Sequence, residues 1–156
     1  MFRICKCIEL ESGHLLSKHR GNCRYPHGHT RKVEFTFSAP DLDVNDMVLD
    51  FKLVKEMLGG LVERFDHALC MNSSDPNFAA FRTAYGERVI PFEREDPTSE
   101  TIARTVYLQA AEALADAVEG RFSLPVRPCV RLDKVRVWET SSSWAEYSPD
   151  RRNGRA

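Results

Sequence analysis

The chain has 156 residues, 42 % of them hydrophobic and 29 % charged, with a formal net charge of −1. That describes one globular domain with a sizeable core, neither disordered nor fibrous, and it lacks the basic excess of a dedicated nucleic-acid binder. No apolar run approaches the roughly 18 residues a membrane-spanning helix needs, so no membrane partner is expected.

Residues 2–12 predict a strand, with Phe2, Ile4, Ile8 and Leu10 on one parity. Residues 32–38 predict a second, with Val33, Phe35 and Phe37 on one face and Lys32, Glu34 and Thr36 on the other. The His- and Gly-containing connection between them suits an antiparallel pair. Over 51–65 the period becomes helical: Phe51, Val54, Leu58, Leu61, Val62 and Phe65 form one stripe, and Asp50 is a plausible N-cap. Gly59 and Gly60 weaken this helix by about 1 kcal/mol each relative to alanine.

The segment 72–97 is long for a structureless connection. It is expected to hold a short helix near 76–85, ended by Gly86, and an extended stretch over 88–92. A second main helix is predicted over 97–119, with Asp96 as N-cap and Pro97 as its first residue. Its core stripe is Ile102, Val106, Ala110, Ala113, Leu114 and Ala117, and Gly120 stops it. Residues 128–139 and 144–147 return to strand character. The main elements therefore run strand-strand-helix-helix-strand-strand. Residues 1–147 read as one domain, and 148–156, with no apolar residue before the last, as a flexible tail.

Four of the five histidines lie within residues 14–29: His14, His19, His27 and His29. His27-Gly28-His29 opens the second strand, whose period of two points both imidazoles to one side. A hairpin-like return brings His14 opposite them. Three neutral imidazoles without a fourth protein ligand describe a catalytic zinc with one position open; the plainer reading is a solvated His-rich turn. Cys23 precedes His27 by four positions, and spacing leaves open whether it is a fourth ligand of a closed site or a reactive thiol. The five cysteines are an odd number, and the first residues show no basic region followed by an apolar stretch. The expectation is a cytoplasmic protein without a disulfide framework. Cys5, Cys7, Cys70 and Cys129 read as structural.

Between Ser12 and Val33 lie Lys18, Arg20, Arg24, Arg31 and Lys32 with no carboxylate, which suggests an anionic ligand, phosphate in particular; the plainer reading is a solvated basic loop, and charge pattern alone does not displace it. Asp66-His67 follows the first helix, where a histidine facing the helix dipole is the commoner case. Glu139 shares strand parity with Val135 and Val137. It is either a solvent-facing edge residue or a carboxylate that needs a paired donor, such as the N–H pair of a purine or pterin ring.

In chain order, His14, Cys23-x-x-x-His27-Gly28-His29, Asp50-Phe51, Asp66-His67-Ala68-Leu69, Pro97-Thr98-Ser99-Glu100 and Trp138-Glu139-Thr140 resemble the 6-pyruvoyl-tetrahydropterin synthase family over residues 2–147. Within it the likeness is to the bacterial 6-carboxy-forming branch of queuosine biosynthesis. The resemblance implies an α+β tunnelling fold, a four-stranded antiparallel sheet with two helices on one face in the order ββααββ. It implies assembly by sheet pairing into a barrel-like homo-oligomer, taken as a hexamer, with active sites at subunit interfaces. Zinc on His14, His27 and His29 follows from it, with Cys23 as catalytic thiol, Asp66 and His67 as proton-relay partners supplied by the neighbouring subunit, and Glu139 as ring anchor beside Thr98 and Ser99. The implied substrate is 7,8-dihydroneopterin triphosphate. The other readings are the 6-pyruvoyl-forming branch and a non-catalytic structural zinc protein. His19 has no role in the resemblance and reads as a surface or phosphate-facing residue.

Overall fold

The computed structural model describes residues 1–150. Alternation of apolar and polar side chains produces the two longest strands, β1 (Phe2–His14) and β2 (His27–Ala39). They pair antiparallel from Phe2↔Ala39 to His14↔His27. Both outrun their predicted bounds because the histidine-bearing ends keep the ladder. Leu10, Val33, Phe35 and Phe37 are buried on one face, while Glu9, Lys32, Glu34 and Thr36 alternate onto the other.

The first helix, α1 (Phe51–Phe65), covers the predicted residues, and Asp50 caps it by accepting from the Lys52 amide at 2.7 Å. Leu53, Val54, Met57, Leu58 and Phe65 are buried, but Phe51 is exposed at the first turn. The long helix, α3 (Ser99–Val118), buries Ile102, Val106, Ala110, Leu114 and Ala117, with Ala113 half-buried. Its cap is Thr98, not Asp96. The Asp96 carboxylate is already taken: it accepts from the Ser17 hydroxyl and the Lys18 amide, each at 2.7 Å, and from the Asn72 side chain at 2.9 Å. Beyond the helix Gly120 takes φ +80, a left-handed conformation that stops the chain where glycine predicted it.

The α+β class holds, but the four-stranded antiparallel sheet in the order ββααββ is corrected. The sheet has six strands in the order β4-β3-β1-β2-β5-β6. The expected strands β1, β2, β5 (Arg131–Trp138) and β6 (Trp144–Tyr147) are adjacent and antiparallel. Two short strands extend them: β3 (Ala68–Asn72), parallel to β1, and β4 (Val89–Phe92), parallel to β3. Both are apolar runs too brief to show a period, because both of their faces are covered. Cys70 and Ile90 join the main core with α1 and α3. Met71 and Val89 pack on the other side with Leu15 and with Phe78 and Phe81 of the short helix α2 (Phe78–Tyr85). Among the described residues there are thus three α-helices, two on one face and α2 at a corner of the other. Of the expected tail, 148–150 has no regular structure, and 151–156 lies outside the described residues.

Candidate active site

Where β1 and β2 close their ladder, Ser12 lies opposite His29 and His14 opposite His27. The period of two keeps all three histidines on the core face, beyond Ser12 and Arg31, which follow Leu10 and Val33 on that face. Their rings sit 4.5 to 5.1 Å apart, and one nitrogen of each lies within 4.8 Å of the others. Two backbone carbonyls fix the tautomers: His14 Nδ1–H donates to Pro97 at 2.7 Å and His27 Nδ1–H to Tyr25 at 2.8 Å. Both Nε2 atoms are then acceptors, and they face each other at 3.0 Å. His29 Nε2 is buried with no hydrogen-bond partner. Burial lowers the His14 pKa to about 4 and that of His29 in the same direction, so the rings stay neutral. Three converging ring nitrogens suit a metal ion, the ligand set of a catalytic zinc with one position open.

Glu139 follows β5 on the same face. Its Oε1 lies 3.6 Å from His29 Nε2, its Oε2 lies 3.7 Å from Arg31 Nη1, and its Oε2 accepts a short hydrogen bond from the Ser99 hydroxyl. Burial pushes this carboxyl up, but the Ser99 hydroxyl and the Arg31 charge outweigh it and hold it below the usual range. Ser99 is therefore where expected. Thr98 is beside it, but its hydroxyl caps α3 through the Thr101 amide at 3.4 Å.

The other expected residues stand apart. Cys23 is half-buried in a 3-10 turn (Asn22–Arg24) and outside the three-nitrogen cluster. Asp66 accepts from the Glu11 amide at 2.8 Å, which holds its carboxyl low, and next from His67 Nδ1–H at 2.9 Å. His67 has φ +56 and a side chain 75 % exposed. It borders a groove of about 650 Å³ lined by Glu11, Gly13, Gly28, Thr30, Leu69 and Arg88. Those β1 and β2 positions alternate with His14, His27 and His29 and face the other side of the sheet, but Ser12 and His29 also line the groove, so it reaches the histidine cluster.

The basic run is dispersed. Arg31 is 1 % exposed and Lys32 pairs with Glu34 at 2.8 Å. The Lys18 ammonium donates to the Arg94 carbonyl at 3.0 Å, and the Arg24 guanidinium stands 5.6 Å from the Tyr25 ring centre. Arg31 and Lys32 thus do not belong to an exposed anion-binding loop, which corrects that part of the expectation. His19 is an exposed turn residue whose Nδ1 accepts from the Gly21 amide at 2.9 Å. Cys5 and Cys7 are exposed on the face away from α1 and α3 rather than structural, whereas Cys70 is buried and its thiol pushed up to about 12. The residue that sequence reasoning missed is Arg31. Its parity with His29, Val33 and Phe35 was the signal that it points inward.

The model of the 6-pyruvoyl tetrahydropterin synthase family matches residues 3–150. The 6-carboxy-5,6,7,8-tetrahydropterin synthase of Aquifex aeolicus is 31 % identical over 169 residues, covering 96 % of this chain and 99 % of that protein. The Rickettsia bellii protein of the same name is 33 % identical over 104 residues, 66 % of this chain and 75 % of that one. Among solved structures, an uncharacterized protein of Wolinella succinogenes matches with a TM-score of 0.71 at 22 % identity, covering 94 % of this chain and 97 % of that one. The 6-pyruvoyl tetrahydropterin synthase of Caenorhabditis elegans matches at 0.64 and 18 % identity, covering 95 % of each chain. These last two likenesses are of fold.

Proposed function

The chain belongs to the 6-pyruvoyl tetrahydropterin synthase family, and from that premise we propose that it converts 7,8-dihydroneopterin triphosphate to 6-carboxy-5,6,7,8-tetrahydropterin. One water is consumed, and acetaldehyde and triphosphate are released, as a step of queuosine biosynthesis. The carrying observation is that one sheet face joins three acceptor imidazoles to a carboxylate held by Ser99. His14, His27 and His29 would hold zinc, which when bound supplies Lewis acidity and a template for the side-chain hydroxyls of the substrate.

The chain's own residues divide the remaining work. Glu139 accepts from the 2-amino group and N3–H of the pterin ring; each carboxylate oxygen has a second lone pair, so the Ser99 bond leaves capacity for this. Ser99 and Thr98 frame that carboxylate at the start of α3. The Cys23 thiolate removes a proton from the substrate side chain, and His67, oriented by Asp66, returns protons. Fixing the ring fixes which carbon meets the base, so positioning supplies much of the rate.

His67 and Asp66 serve the site of a neighbouring subunit in a homo-oligomer, which we take to be a hexamer. The exposure of the His67 side chain supports this, as do the sheet edges at β4 and β6, which invite pairing with another chain. We assign the reaction to the cytoplasm, with five free cysteines in support. No helix among the described residues is long and apolar enough to cross a membrane.

Mass spectrometry of the products from 7,8-dihydroneopterin triphosphate is the test. Acetaldehyde with a 6-carboxy pterin is the expected result. A pyruvoyl pterin would move the chain to the other branch, and no turnover of the zinc-loaded protein would overturn the reading.

A further inference from the structure

We propose that Arg31 is a positioning residue, which acts through Ser99 to hold Glu139 in the orientation that receives the ring. The inference rests on the reading of Glu139 as ring anchor.

A guanidinium carries five N–H donors in a rigid plane and no acceptor. Arg31 is 1 % exposed, lies on the core face two residues after His29, and donates from Nε to the Ser12 hydroxyl at 3.0 Å. From Nη1 it donates to the Ser99 hydroxyl at 3.2 Å. That contact fixes a direction. Ser99 Oγ has one proton; since Arg31 can only donate, Oγ accepts from Arg31 and its own proton goes to Glu139 Oε2. The relay runs Arg31 to Ser99 to Glu139, each step from a donor to an acceptor, and it ends on a carboxylate whose side chain is still 30 % exposed.

The arrangement is costly for a structural role alone. A buried cation needs its charge matched at close range, and Arg31 Nη2 has no hydrogen-bond partner. The nearest carboxylate is Glu139, at 3.7 Å. A leucine would fill this place on β2 between Val33 and the histidines without that cost. What the guanidinium adds is a fixed bearing for Glu139. Oε1 already stands 3.6 Å from His29 Nε2, and a carboxylate without the grip on Oε2 can turn toward the imidazoles and away from an incoming ring.

The test is a double-mutant cycle read by fluorescence titration of unsubstituted pterin against the zinc-loaded full chain. Arg31→Met and Glu139→Gln should each weaken pterin binding roughly 10- to 100-fold, with zinc content unchanged in both. The double variant should bind no more weakly than Glu139→Gln alone. Losses that multiply, or an Arg31→Met protein that binds pterin like the parent, would overturn the proposal. If Arg31→Met does not fold, Arg31→Lys replaces it: the cation stays, but one ammonium cannot reach both Ser12 and Ser99. Its smaller loss should again vanish in the Glu139→Gln background, and persistence there counts against the relay. The two readings fail separately. If the parent binds no pterin, the functional reading falls and the relay with it; if Glu139→Gln weakens binding while Arg31 variants do not, only the relay falls.

Discussion

The imidazole of His14 donates from Nδ1 to the carbonyl of Pro97 at 2.7 Å, across 83 residues of sequence. Two residues after Pro97, Ser99 holds Glu139. The start of α3 therefore supports a candidate metal ligand with its backbone and a candidate ring anchor with a side chain.

Replacing His27 by alanine should abolish both bound zinc and turnover. The parent should carry about one zinc per chain, measured by elemental analysis after exhaustive dialysis. A metal-replete, active His27→Ala protein would refute the ligand set.

Cys23 lies outside the nitrogen cluster. Cys23→Ala should therefore keep its zinc and lose most of its activity. Loss of zinc together with activity would make the thiol a ligand and favour a closed structural site.

If active sites are shared between subunits, Cys23→Ala and His67→Ala proteins are each inactive but complement one another. Mixing them should restore part of the activity once subunit exchange has been verified by mass labelling. No recovery despite exchange would contradict shared sites.

Glu139→Gln keeps the shape of the side chain but turns one acceptor oxygen into an N–H₂ that faces a donor. Pterin binding should weaken by about 1–3 kcal/mol, with zinc content unchanged. Normal binding of simple pterins would remove Glu139 from the ring site and make Glu100 the next carboxylate to test.

The acid behaviour follows from His14. Its pKa is lowered to about 4 from an ordinary 6.5, chiefly by burial. Between those values the unfolded chain binds a proton that the folded chain refuses, so the metal-free protein loses stability as pH falls through that window. The low carboxyls of Glu139, Asp66 and Asp96 contribute slopes of the same sign. Thermal melts of metal-free protein from pH 7 to 4 should show a falling midpoint, and His14→Gln should flatten the curve without levelling it. An unchanged slope would exclude His14 as its source.

Much of this was legible in the residue pattern, for physical reasons. The helix at 51–65 announces itself through a 3.6-residue stripe and a capping aspartate, both local. His27 and His29 share a side by strand parity alone. What could not be read was decided by distant partners. Arg31 looked like one cation of a basic loop until Ser99, 68 residues away, arrived above it. Asp96 looked like a cap because Pro97 follows it, yet its carboxylate is drawn off by Ser17, Lys18 and Asn72. The strands β3 and β4 are five and four residues long. Their parallel pairing needs helices to carry the chain back, and no local period records that.

The grip of Asp96 on Ser17 and Lys18 also sets how Cys23 moves. The Leu16 amide donates to the Cys23 carbonyl at 2.9 Å, so the thiol's backbone is tied to the anchored base of its own loop. The His19 amide donates to the Leu16 carbonyl at 2.9 Å, so only the crest over residues 20–22 stands clear of this clamp. Amide hydrogen exchange at Lys18 and Leu16 should then wait on large-scale opening, while the crest exchanges early. The sulfur is carried on a short arm from a fixed post. Its reach is a matter of χ1 rotation, sampled in picoseconds to nanoseconds, and no loop has to swing to present it.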